Sequence, residues 1–69
     1  MKIGARNRLE GKVLDIKQGG VMCQVKVQVA GGAHMESVMT IDSLKDLGIK
    51  VGDTVRVAVK AVNVMLLKD

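Results

Sequence analysis

The 69-residue sequence has no phenylalanine, tyrosine, tryptophan or proline, and only one cysteine and one histidine. Each scarcity excludes something. Cys23 stands alone, so no intrachain disulfide can form, and Cys23 with His34 cannot complete the ligand set of a structural zinc. A chain of this length buries only roughly 60% of the surface its unfolded form exposes. Domains below about 80 residues usually need a disulfide, a metal or a partner subunit. With the first two removed, self-association is the remaining staple. The missing aromatics take away the stacking platform of single-strand nucleic-acid binders, worth roughly 1–3 kcal/mol per base. No apolar run approaches the roughly 18 residues of a membrane span. Residues 1–10 are polar and carry Lys2, Arg6 and Arg8 without an apolar stretch behind them, unlike a signal peptide. An unpaired cysteine fits a reducing compartment, so a cytoplasmic location is expected.

What is present describes one small globular domain over residues 1–69. The apolar fraction of 48% is far from a disordered composition. Eleven Lys and Arg against seven Asp and Glu give a net charge of +4, which favours an anionic partner. The positive residues are scattered, and Glu10 and Asp15 interrupt their densest stretch. A small compact anion fits that distribution better than a polyanion does.

Period-2 alternation marks the strands. Val21, Cys23, Val25, Val27 and Val29 alternate with polar or exposed positions, and Val55, Val57 and Val59 do the same in Thr54–Lys60. Weaker strand patterns cover Lys12–Lys17 and Met35–Thr40. Val62–Leu67 is almost continuously apolar, which predicts a fifth strand buried on both faces, one against the core and one against another subunit. Gly19-Gly20, Gly31-Gly32 and Gly52-Asp53 are expected to supply the positive φ of turns. Between the third and fourth strands, Thr40 opens and Gly48 closes a helix of one or two turns. The order β-β-β-α-β-β predicts an all-β fold, a five-stranded OB-like barrel with its helix between strands three and four.

No nucleotide-binding glycine loop, C-x-x-C or H-E-x-x-H motif occurs, and the chain reads as a non-enzyme. Cys23 lies on the apolar face of its strand and reads as a small buried hydrophobe, and His34 as a solvated residue at a strand end. Thr40 and Ser43 place two hydroxyls where the first amides of a helix point outward, which is also what ordinary capping requires. Taken locally, Lys60 and Arg6 are surface cations.

Together these positions carry a family pattern. The opening Met1-Lys2-Ile3-Gly4-Ala5-Arg6-Asn7-Arg8-Leu9-Glu10-Gly11-Lys12-Val13 resembles the M-K-I-S-A-R-N-x-L-x-G-x-V start of the molbindins, the small Mop-type molybdate-binding proteins of the TOBE class. Val29-Ala30-Gly31-Gly32, the stretch from Thr40 to Gly48, and Val59-Lys60-Ala61 with Val64-Met65 agree as well, in order and across essentially the whole chain. The resemblance implies a cytoplasmic OB-like domain that binds molybdate or tungstate for molybdenum storage or homeostasis. It also implies a homo-oligomer, a hexamer built from dimers, with the oxyanions at subunit junctions and no part for nucleic acid or membrane. Carried over by motif, the oxyanion contacts are Gly4, Ala5 and Arg6, then Thr40 and Ser43, then Lys60 and the backbone of Ala61. Gly4 stands where the family usually has Ser, and Val62 where a hydroxyl residue is common, so two hydroxyl contacts are missing. The competing readings are a nucleic-acid-binding OB module and a structural interaction domain that has lost its ligand.

Overall fold

The computed structural model describes residues 7–68. Among them the chain runs β1 (Asn7–Gln18), β2 (Met22–Val29), β3 (His34–Thr40), α1 (Ile41–Leu47) and β4 (Thr54–Val59), with short 3-10 turns at Ala30–Gly32 and Ala61–Asn63. The four strands form one antiparallel sheet in the order β3-β2-β1-β4. It curls over α1 as a half-open barrel.

The alternation in the sequence becomes the core. Val13, Cys23, Val25 and Val27 point inward from β1 and β2, and Leu44 closes over them from α1. These five are the buried apolar residues. Half-buried Met35, Met39, Val55 and Val57 extend the apolar surface toward the two free edges. Val21, expected on the buried face, is 72% exposed because β2 begins only at Met22.

β1 is the hinge of the sheet. Gly11 and Lys12 pair with β2 on one side and β4 on the other. Just beyond them the pairing with β2 skips Leu14, a bulge that bends the strand and tightens its twist. The bulge is tied down because Val13 exchanges backbone hydrogen bonds with the turn before β4: its N–H donates to the Asp53 carbonyl, and its carbonyl accepts from Gly52. A β-carbon at Gly11 would lie 2.9 Å from Val27 Cγ1, so only glycine lets the two halves of the curl approach this closely.

Two expectations are corrected. The Gly19-Gly20 turn needs no positive φ; such values occur at Gly31, Gly32, Gly48 and Gly52. The β1–β2 reversal is instead a wider loop through Val21, closed where Gly19 N–H donates to the Met22 carbonyl. More consequentially, four strands and not five are formed among the described residues. Val62–Leu67 is not a strand buried on both faces. After the Ala61–Asn63 turn it is unpaired and exposed, because within the single chain it meets no sheet edge.

Gly11→Ala should destabilise the fold by about 1–3 kcal/mol through overpacking against Val27. Gly48→Ala, where φ is 66° and space is open, should cost about 1 kcal/mol through left-handed backbone strain alone. Chemical denaturation of the two variants checks the order.

Candidate functional site

β3 runs without a linker into α1, and Thr40 is the residue at the join. Its backbone is extended (φ −71°, ψ 153°), and its hydroxyl oxygen accepts from Ser43 N–H at 3.1 Å, capping the helix. The Thr40 hydroxyl donates to Ser43 Oγ at 2.9 Å. Its one proton is therefore committed, and the Ser43 hydroxyl, having accepted, is left to donate outward. Both side chains are exposed. At the other end of the helix Gly48 N–H closes on the Leu44 and Lys45 carbonyls, and buried Leu44 anchors the turn to the core.

The join is also held from below. Ile41 N–H donates to the Val21 carbonyl at 2.8 Å, and the Cys23 thiol points at the Thr40 carbonyl at 3.9 Å. Sequence reading identified the hydroxyls but missed these supports, since their partners lie about twenty residues away and nothing local marks them. Asp42 sits in the first turn beside the hydroxyls, so this is not a purely positive surface.

Lys60 lies elsewhere. It follows β4 in extended backbone, exposed, and its carbonyl accepts from Asn63 N–H at 2.9 Å as Ala61 begins the 3-10 turn. The register fixes its distance from the hydroxyls. Thr40 is opposite Met22, beside the last residues of β1, whereas Val59 is opposite Asn7, the first residue of β1. The two groups thus sit at opposite ends of a sheet whose central strand is 12 residues long. Thr40 and Ser43 are brought together; Lys60 and Ala61 are not brought to them within one chain. Gly4, Ala5 and Arg6 lie outside the described residues.

His34 opens β3 opposite Gln28 and is exposed, whereas Cys23 is buried opposite Met39. They lie far apart along the β2–β3 pair and on opposite faces, so they form no nucleophile–base couple. Among the described residues no three of His, Cys, Asp and Glu converge on a metal site, and no helix is long and apolar enough to cross a membrane.

The pattern of the TOBE domain matches residues 4–66. The chain belongs to the TOBE domain family. This TOBE domain is 42% identical over 67 residues to molybdenum-pterin-binding protein 3 of Clostridium pasteurianum, covering 97% of this chain and 98% of that one. It is 38% identical to a probable molybdenum-pterin-binding protein of Haemophilus influenzae, over 96% of each. Among solved structures it superposes on a molybdate-binding protein from Sporomusa ovata with a TM-score of 0.90 and 40% identity, covering 99% of this chain and all of the other. It also matches the cytoplasmic molybdate-binding protein ModG in a molybdate-bound form, with a TM-score of 0.80 and 38% identity, over 88% of this chain and 43% of that chain. These likenesses establish the OB-like, mostly β architecture.

The division of labour between the two hydroxyls is testable by denaturation. Thr40→Ala removes the cap and should cost about 1 kcal/mol. Ser43→Ala keeps the capped N–H and should shift stability by less than about 0.5 kcal/mol. Equal losses in thermal unfolding would contradict the capping assignment.

Proposed function

We propose that this chain is a cytoplasmic, non-enzymatic binder of molybdate or tungstate for molybdenum storage or homeostasis, and that it takes the oxyanion at junctions between copies in a homo-oligomer, a hexamer built from dimers. The observation that carries the reading is the exposed Thr40–Ser43 pair, which presents a hydroxyl committed to donating, in a chain that matches molybdate and molybdenum-pterin binders over almost its full length. Molybdate at neutral pH is a tetrahedral dianion with no proton of its own. A site of hydroxyl, backbone N–H, ammonium and guanidinium donors satisfies it fully. Hydrogen phosphate must donate a proton, and such a site leaves that proton without an acceptor, at a cost of about 1–3 kcal/mol. Sulfate shares molybdate's charge and is excluded by its smaller size; tungstate shares both charge and size. The absence of phenylalanine, tyrosine and tryptophan speaks against a stacked pterin as ligand and against a nucleic-acid-binding OB module.

The separation of Lys60 from Thr40 and Ser43 supports the junction. A tetrahedral oxyanion is too small to touch both ends of one sheet, so all of these residues can serve one anion only if different copies supply them. In that arrangement Ser43 donates its hydroxyl, Thr40 holds Ser43 in place, Lys60 supplies an ammonium and Ala61 a backbone N–H, and Gly4, Ala5 and Arg6 complete the donor set.

Calorimetric titration with molybdate, tungstate, sulfate, phosphate and a short oligonucleotide tests the proposal. Molybdate and tungstate should bind tightly and the other three weakly; equal heats for sulfate and molybdate, or tight binding of the oligonucleotide, would overturn it. Lys60→Ala should weaken molybdate binding by about 1.5–3 kcal/mol, the value of a hydrogen bond to a charged group. Lys26→Ala is the control, because Lys26 lies between Asp15 and Glu36 across the strands and should have almost no effect.

A further inference from the structure

We infer that Asp42 is a charge brake on the oxyanion site: its carboxylate repels a dianion held at the Ser43 hydroxyl and so sets how readily the ligand is given up. The inference rests on the reading of Thr40 and Ser43 as the oxyanion end of the proposed site. It concerns a neighbouring group whose charge has the wrong sign for that task.

Asp42 and Ser43 are consecutive residues in the first turn of α1, and Asp42 is exposed. Their Cα atoms stand about 3.8 Å apart, as across any trans peptide. An anion held at the Ser43 hydroxyl therefore lies within about one Debye length of the Asp42 carboxylate, roughly 10 Å at 0.1 M salt. The join cannot relax to widen that gap. Thr40 caps the turn, Ile41 N–H is tied to the Val21 carbonyl, and Leu44 is buried in the core. Lys45 stands three residues on, but an exposed pair of this kind is worth little and leaves the carboxylate charged.

The same charge acts with opposite signs on the empty and the loaded chain. In the empty chain a carboxylate in the first turn meets unpaired N–H groups and the positive end of the helix dipole, so it stabilises α1. A bound oxyanion takes up that same end, and two negative groups then share it. At a separation of about 8 Å in water, a unit charge and a dianion repel enough to weaken binding several-fold, and the effect grows where protein displaces water.

The charge balance of the proposed donor set points the same way. Thr40 and Ser43 are neutral, and the cations Arg6 and Lys60 together would neutralise a dianion; with Asp42 the loaded site is left with excess negative charge. A neutralised site would hold its ligand tightly and release it slowly. The excess charge shortens the residence time, since affinity differences between related sites are mostly differences in dissociation rate. Such a site suits a store whose cargo is handed on.

Calorimetric titration of the full chain with molybdate, unmodified and as Asp42→Asn, tests the brake. Asp42→Asn should bind about three- to tenfold more tightly at ~20 mM salt, and the gain should fall below about twofold at ~0.5 M, where screening is nearly complete. The empty Asp42→Asn chain should meanwhile melt about 2–6 °C lower, because the helix has lost a favourable charge. Tighter binding by a less stable protein is a pair of signs that a merely structural carboxylate does not produce. Asp42→Glu keeps the charge and should show no gain. Asp46→Asn removes the same charge from the far end of α1 and should show a smaller one. Unchanged or weaker binding by Asp42→Asn, a gain indifferent to salt, or an equal gain in Asp46→Asn would overturn the brake. Ser43→Ala reports separately on the site. If it binds molybdate as well as the unmodified chain, the hydroxyl is no ligand, and the proposed site and the brake fall together. Weakened binding by Ser43→Ala beside unchanged binding by Asp42→Asn overturns the brake alone.

Discussion

Five buried side chains, Val13, Cys23, Val25, Val27 and Leu44, are the enclosed core, and everything else in the fold follows from how few they are. At about 25 cal/mol per Å² of apolar surface, a core of this size offsets the ordering of some sixty residues only if more surface is buried elsewhere. The half-buried layer of Met35, Met39, Val55 and Val57 is that surface, left partly in water where the sheet stops short of closing. The short core also explains the curl. With no large aromatic to fill a wide interior, valines pack closely only if the sheet bends sharply, and Gly11 with the bulge at Leu14 provides the bend.

The polar chemistry is positioned by the same packing. Thr40 and Ser43 are surface residues, yet the backbone that carries them is fixed by Val21 and Cys23 from β2 and by Leu44 in the core. A small site gains precision in this way: short side chains with few rotatable bonds stand on a backbone that cannot shift without disturbing the core. Mutations at Cys23 would therefore be felt at the hydroxyls, although the thiol does not reach the surface.

Much of this was legible in the sequence. The alternation of Cys23, Val25 and Val27 and of Val55 and Val57 placed two strands and their inward faces, and Thr40 with Gly48 marked both ends of α1 within a residue. What was not legible depended on distant partners. Nothing near Gly19-Gly20 reveals that the loop extends through Val21. Nor could an apolar run at Val62–Leu67 announce that it stands exposed beside a four-stranded sheet, since burial on both faces is a property of the surroundings and not of the run. The Thr40–Ser43 pair was readable as a cap from spacing alone. That the Thr40 hydroxyl donates to Ser43 and leaves the Ser43 hydroxyl to donate outward required the hydrogen-bond geometry. Lys60 and Thr40 belong to one recognisable pattern, but only the strand register reveals that they stand at opposite ends of the sheet.

Among the described residues β3 and β4 are the end strands of the sheet, and an open edge sets a condition on growth. Such an edge can pair with any extended chain that reaches it, and where each addition exposes a fresh edge the product is a filament. The sequence has no proline to interrupt such an edge. A closed assembly avoids that outcome, because symmetry leaves no edge over.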